Sequence, residues 1–174
     1  HAILKEYWGY DGFRPLQEDI IRSVLDGKDT LALLPTGSGK SVCYQVPAMA
    51  MDGLCLVVSP LIALMKDQVQ QLQKKGISAL ALHTGMSYKE ITKTLELAVN
   101  SKIKLLYLSP ERLQTRVFKD FLPEMPVSLV AIDEAHCVSQ WGYDFRPSYL
   151  QIASLRESLR GIPVMALTAS ATPL

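Results

Sequence analysis

The stretch TLALLPTGSGKS, residues 30–41, decides the fold. An apolar run, TLALL at 30–34, passes without a break into Pro35-Thr36-Gly37-Ser38-Gly39-Lys40-Ser41, and the residues that follow, 40–51, read as a helix. Strand, small-residue loop and helix in that order are the setting a phosphate-binding loop requires. Gly37, Ser38 and Gly39 let consecutive backbone N–H groups turn toward an anion, and the helix N-terminus adds its partial positive charge. Thr36 to Ser41 therefore form a candidate nucleotide cradle. Lys40 is placed to reach the β- and γ-phosphates, and the Ser41 hydroxyl to ligate magnesium. The usual loop pattern begins with glycine, and Leu34 stands in that place here. The bland alternative, a glycine turn capped by a serine, has no need of the strand before it and the helix after it.

The same alternation runs outward along the chain. Short apolar runs at 30–34, 54–58, 79–82, 104–109, 128–133 and 163–168 read as buried strands, since they are apolar without a period of two. Candidate helices lie near 40–51, 61–75, 87–99, 111–120 and 148–160. In the second of these, Leu61, Leu64, Met65, Gln68 and Leu72 recur at helical spacing. Pro47 lies inside the first, and a kink or break is expected there because proline removes a helical hydrogen bond. Strand–helix alternation with right-handed crossovers gives an α/β fold of three layers, a mainly parallel sheet flanked by helices, the P-loop NTPase class. Ligands in such sheets bind at the carboxyl ends of the strands.

SLVAID at 128–133 ends in Asp133-Glu134-Ala135-His136, which brings two carboxylates to the edge that carries the loop. Such an ending is by itself often only a polar sheet edge or a helix N-cap. Paired with the loop at 35–41, it points to nucleoside triphosphate hydrolysis. Asp133 is then the magnesium-holding carboxylate and Glu134 the group that orients and deprotonates the attacking water, with Lys40 the third catalytic residue.

Composition bounds the rest. At 174 residues and 48% hydrophobic content, the chain can bury a core of its own, and no repeat or flexible linker supports a second domain. Its 18 basic and 17 acidic residues nearly cancel, so phosphate binding must come from local geometry. Cys43, Cys55 and Cys137 lack zinc-site spacing and read as reduced thiols. His83 and His136 stand on separate segments with no third ligand evident. No run of about 20 apolar residues is present to span a bilayer, so no membrane partner is expected. The abrupt start at His1 and end at Pro173-Leu174 suggest a fragment cut to domain boundaries.

The ordered segments resemble superfamily 2 helicases, and within them the RecQ family, across essentially the whole chain. LPTGSGKS at 34–41 is similar to motif I, VSPLIALMKDQV at 58–69 to motif Ia, SPERL at 109–113 to motif Ib, DEAH at 133–136 to motif II, and LTASAT at 167–172 to motif III. HCVSQWGYDFRPSY at 136–149 resembles the aromatic-rich loop that follows motif II in RecQ proteins. YWGYDGFRPLQEDII at 7–21 resembles the RecQ motif that reads adenine, which makes Tyr10 and Arg14 the flanks of the base and Gln17 its reader. The chemistry is sound on its own terms, because a carboxamide offers one acceptor and one donor edge that match adenine and mismatch guanine. Without the family, the stretch reads sooner as an amphipathic helix entry with surface aromatics.

The resemblance implies a RecA-like ATP-binding lobe over 1–174, with ATP and magnesium as ligands and single-stranded or partly duplex DNA as partner. It implies a 3′–5′ helicase that couples hydrolysis to translocation and unwinding in DNA repair and recombination. Ser59, Lys66, Ser109 and Arg112 become candidate donors to the DNA backbone. Trp141, Phe145 and Arg146 become a single-strand sensor beside Glu134, although these aromatics can equally pack to close their own loop. Thr168, in motif III, becomes the link between nucleotide state and DNA.

The second lobe, absent from this chain, would supply an arginine to the transition state. The 174 residues alone are thus expected to bind nucleotide, hydrolyse it very slowly and unwind nothing. An RNA helicase or other superfamily 2 translocase shares motifs I, Ia and II, and a non-hydrolysing nucleotide-binding scaffold is the remaining alternative. A cytoplasmic location is expected for a bacterial source and a nuclear one for a eukaryotic source.

Overall fold

The structure is a computed structural model and describes residues 1–34, 39–100, 102–135 and 152–168. Six strands, β1 (Thr30–Leu33), β2 (Leu54–Val58), β3 (Ala79–Leu82), β4 (Leu105–Leu108), β5 (Val127–Ile132) and β6 (Val164–Thr168), form one sheet in the order β1-β6-β5-β2-β4-β3. Every pairing is parallel, so all carboxyl ends share one edge. The expected parallel α/β architecture is the one observed.

Alternate residues of each strand enter separate cores. Leu54, Leu56 and Val58 of β2 join Leu106, Leu108, Val130 and Ile132 on one face, where Leu95, Phe118 and Leu155 cover them. Cys55 and Val57 join Tyr107, Leu129, Ala131, Met165 and Leu167 on the other, under Cys43, Tyr44, Met65 and Val69. Burial on both faces is why the strands carry no alternation of polar and apolar residues. β1 lies at the sheet edge, and there Leu31 and Leu33 stay 64% and 46% exposed.

The helices are α1 (Gln17–Leu25), α2 (Val42–Ala50), α3 (Ile62–Lys74), α4 (Tyr88–Val99), α5 (Arg116–Phe121) and α6 (Ile152–Ser158). A π-helical turn, Leu4–Trp8, precedes α1 and buries Leu4. α4 starts on a capping box in which Ser87 Oγ accepts from the Glu90 N–H at 3.1 Å and the Glu90 carboxylate accepts from the Ser87 N–H at 2.9 Å. α3 buries Met65, Val69 and Leu72, whereas Leu61 and Leu64 are 43% and 50% exposed; the stripe read from the sequence is rotated to that extent.

Two expectations about helices fail. α2 runs unbroken through Pro47, whose carbonyl accepts from the Met51 N–H at 2.9 Å. Six consecutive residues of α2, Cys43 to Ala48, are buried, and that packing outweighs the bond that proline forfeits. The segment 111–120 is not one helix but a 3-10 turn, Pro110–Gln114, followed by α5, because Thr115 is extended at φ −71°, ψ 142°. Of the segment 148–160, residues 148–151 lie outside the described residues.

Gly53, entering β2 at φ +103°, has no room for a side chain: a Cβ there would stand 2.2 Å from the Pro126 carbonyl oxygen. The Leu54 N–H donates to that same carbonyl at 2.9 Å, and so β2 is drawn tightly onto β5.

Candidate nucleotide site

The carboxyl ends of β1 and β5 lie on the same edge, separated by β6, and deliver the loop lysine to the acidic pair. Lys40 Nζ sits 3.0 Å from Asp133 Oδ1 and 2.9 Å from Glu134 Oε1. The three side chains are between 21% and 24% exposed, so the cluster is largely desolvated yet open to a ligand. Burial works against the lysine's charge, but the Asp133 and Glu134 carboxylates outweigh it and raise its pKa above the ordinary value. The ammonium stays charged throughout the physiological range.

Glu134 adopts φ +55°, and its N–H donates to Asp133 Oδ1 at 3.0 Å. Leu16, the residue before α1, adopts φ +73°. Among the described residues these are the two non-glycine positions with positive φ, and both border the candidate site. A left-handed backbone costs such residues on the order of 1–2 kcal/mol, a strain that collects where a side chain must be aimed.

Gln17, 4% exposed as the first residue of α1, joins the N-terminal segment to the loop. Its Oε1 accepts from the Arg14 N–H at 2.8 Å, and its Nε2 donates to the Gly39 carbonyl at 2.9 Å. Gly39 has φ +74°, and a Cβ on it would meet Gln17 Nε2 at 2.6 Å, so glycine is required there twice over. Beside this junction opens a cleft of about 560 Å³, lined by Tyr10, Arg14 and Gln17 on one side and by Gly39, Ser41, Gln45 and Gln68 on the other. Its size lies within the range of small-molecule sites. Tyr10 and Arg14 are exposed at its rim.

The donor set also fits magnesium: Asp133 and Glu134 offer hard oxygens where the protein already holds a cation, the Lys40 ammonium, and the Ser41 hydroxyl lines the adjoining cleft. Thr36, Gly37 and Ser38 of the cradle lie outside the described residues, as do Trp141, Phe145, Arg146 and Cys137. Cys43 and Cys55 are free and buried, and desolvation pushes the Cys43 thiol up to about 12.

The remaining candidates are spread along the same sheet edge. Ser59 and Ser109, which follow β2 and β4, are 4% and 3% exposed, and the Ser109 hydroxyl finds no hydrogen-bond partner among the described residues. Lys66 is exposed on α3. Arg112 donates from Nε and Nη2 to the His83 carbonyl, at 3.2 and 2.6 Å. Thr168, 7% exposed, ends β6, where its carbonyl accepts from the Leu34 N–H at 3.2 Å.

Sequence reasoning missed one group altogether. Tyr44, Gln45, Gln68 and Tyr107 form a hydrogen-bonded chain that reaches Ser41. The one signal for it was Gln68 standing inside an otherwise apolar helical stripe.

A lysine from a strand–loop–helix turn, held on two carboxylates that follow another parallel strand of the same sheet, defines an α/β domain of the P-loop class. The chain belongs to the DEAD/DEAH box helicase family, which matches residues 14–174. It is 48% identical over 170 residues to the ATP-dependent DNA helicase RecQ of Haemophilus influenzae, covering 98% of this chain and 28% of that protein. It is 50% identical over 170 residues to the probable ATP-dependent DNA helicase RecS of Bacillus subtilis, covering 97% and 34%. The chain thus spans about a third or less of the length of these relatives. Among solved structures, the helicase MrfA bound to DNA and AMPPNP superposes with a TM-score of 0.79 at 20% identity, over 99% of this chain and 26% of that one. The Mycobacterium smegmatis helicase Lhr bound to single-stranded DNA and AMP-PNP gives 0.74 at 21% identity, over 99% and 25%. At that identity the likeness speaks for the fold alone.

Among the described residues, no helix is long and apolar enough to cross a membrane.

Proposed function

We propose that this chain is the first RecA-like lobe, residues 1–174, of a RecQ-type 3′–5′ DNA helicase that couples ATP hydrolysis to movement along single-stranded DNA and to duplex unwinding in repair and recombination. The observation that carries the reading is the Lys40 ammonium held between Asp133 and Glu134, with Gln17 bonded to the glycine just before that lysine. Similarity to proteins named RecQ over nearly the whole chain supports the choice of DNA.

In this reading Lys40 leaves the carboxylates to bind the β- and γ-phosphate oxygens, which carry more charge and offer more acceptors. Ser41 and Asp133 hold magnesium, which supplies charge neutralisation between the phosphates when bound. Glu134, its backbone fixed by the Asp133 contact, orients the attacking water and takes its proton. Thr36, Gly37, Ser38 and Gly39 cradle the phosphates through backbone N–H groups, while Tyr10 and Arg14 flank the adenine that Gln17 reads.

DNA contact is assigned to the edge carrying Ser59, Lys66, Ser109 and Arg112 and to the segment with Trp141, Phe145 and Arg146; Thr168 relays nucleotide state to them. Lys66 is the exposed cation of the first set. A second lobe completes the site with an arginine worth about 10³–10⁵ in rate, so the 174-residue lobe alone binds nucleotide and turns it over very slowly. A protein working on DNA acts in the bacterial cytoplasm or the eukaryotic nucleus.

The test is ATP hydrolysis by the full-length protein, with no nucleic acid, with single-stranded DNA and with single-stranded RNA, for wild type and Trp141→Ala. Stimulation by DNA that the substitution abolishes is expected. Stimulation chiefly by RNA, indifferent to Trp141, would reject the DNA assignment while leaving the nucleotide site intact.

A further inference from the structure

Ser41 faces the cleft, but its hydroxyl is held from behind. Gln68, on α3, donates from Nε2 to Ser41 Oγ at 3.4 Å. The Gln68 carboxamide also pairs with that of Gln45, its Oε1 accepting from Gln45 Nε2 at 2.9 Å, so the two amides are oriented together. Gln45 is itself fixed: it is 3% exposed, and Nε2 also donates to the Tyr107 hydroxyl at 3.0 Å. Tyr107 in turn pairs with the Tyr44 hydroxyl at 2.7 Å, both rings being 1% exposed. A hydrogen-bonded chain therefore runs from the middle of an apolar core to one hydroxyl at the cleft.

Such a chain is costly to bury, and simple packing of α2 against α3 does not call for it, since aliphatic side chains join the same elements elsewhere. Its end at a hydroxyl has a chemical consequence. A serine hydroxyl has one proton and two lone pairs. With Gln68 holding one of these positions, at least one lone pair is left for a cation. At 3.4 Å the contact is longer than the usual N–H···O distance of about 2.9–3.0 Å, as catalytic hydrogen bonds often are before a ligand tightens them.

We propose that Gln68 is a positioning residue of the magnesium–nucleotide site, with buried Gln45 as its anchor: it holds the Ser41 hydroxyl at the cleft with a lone pair toward the cation. This rests on the nucleotide-site reading above. Gln68 acts through Ser41 and need not touch the nucleotide.

The test is equilibrium binding of a fluorescent ATP analogue to the full-length protein, in excess EDTA and across a magnesium titration, for wild type, Gln68→Met, Gln68→Glu, Ser41→Ala and the double variant Ser41→Ala with Gln68→Met. Gln68→Met keeps the side chain's length without its hydrogen bonds. Gln68→Glu keeps the acceptor for Gln45 and can still accept from the Ser41 hydroxyl. Gln68→Met is expected to reduce the magnesium-dependent gain in affinity about 3–10-fold, the effect of one net hydrogen bond, with affinity in EDTA unchanged, and Gln68→Glu to keep more of that gain. On the Ser41→Ala background, Gln68→Met is expected to have no further effect. A wild-type magnesium gain in both Gln68 variants, or full additivity in the double variant, would overturn the proposal. Should wild type bind no nucleotide in either condition, the site reading fails and this inference with it; binding to wild type with the gain intact in the variants removes Gln68 alone.

Discussion

Gln17 is the residue through which the N-terminal segment and Gly39 of the loop meet. It was legible in the sequence only through resemblance, with amide chemistry as support. The structure adds what neither supplied, a direct bond from its Nε2 to the Gly39 carbonyl, with Leu16 holding an unfavourable backbone to aim it. Gln17→Ala should therefore narrow the preference for ATP over GTP by about tenfold, the scale of one or two hydrogen bonds to the base, as measured by competitive binding of the two nucleotides. An undiminished preference would remove Gln17 from that role. Lys40, Asp133 and Glu134 were readable from position alone, because a loop after one parallel strand and acids after another must share an edge. The Gln45–Gln68–Tyr107 chain was not, since its members come from α2, α3 and β4 and no local pattern links them.

At the scale of elements, the strands were legible nearly to the residue, because continuous apolar runs of this length suit strands buried on both faces. The helices were less so. Proline chemistry predicted a break in α2 that tertiary burial overrode, and no pattern announced the extended Thr115 that splits the segment after β4. Nor did the sequence reveal the tie between β1 and the last two elements. Asp29, just before β1, accepts from Arg156 on α6 and from the Val164 N–H of β6, the latter at 2.9 Å. The Arg156 hydrogen bond, followed by that of the Val164 N–H, lowers the Asp29 pKa against a small opposing effect of burial.

A carboxylate with a lowered folded pKa stabilises at pH above its unfolded value, and the contribution is lost as pH falls through the folded pKa. Because the Asp29 side chain is 44% exposed, solvent screening limits the effect to about 1 kcal/mol. Asp29→Ala is thus expected to lower Tm by roughly 2–4 °C at pH 7, and the deficit to shrink as pH falls through the lowered folded pKa and the wild-type carboxylate is protonated. A deficit that persists unchanged at low pH would show that the contact acts by packing and not by charge.

For the molecule as a whole, the sequence determined that the sheet is parallel and that the candidate site residues Lys40, Asp133 and Glu134 gather at one edge. It did not determine strand order. In the order found, β6 stands between β1 and β5, and the carbonyl of Thr168 takes the N–H of Leu34 at the threshold of the loop. Thr168, the last described residue of the segment resembling motif III, is thereby held beside the loop. The proposed magnesium–ATP site at this edge is built on Lys40. The most direct test is calorimetric titration of wild type and Lys40→Ala with ATP in the presence of magnesium, with a thermal melt to show that the variant is folded. Wild type is expected to bind, and the variant at least about tenfold more weakly, because charge-assisted bonds to the phosphates are lost. Equal affinity in a folded Lys40→Ala protein would contradict the claim.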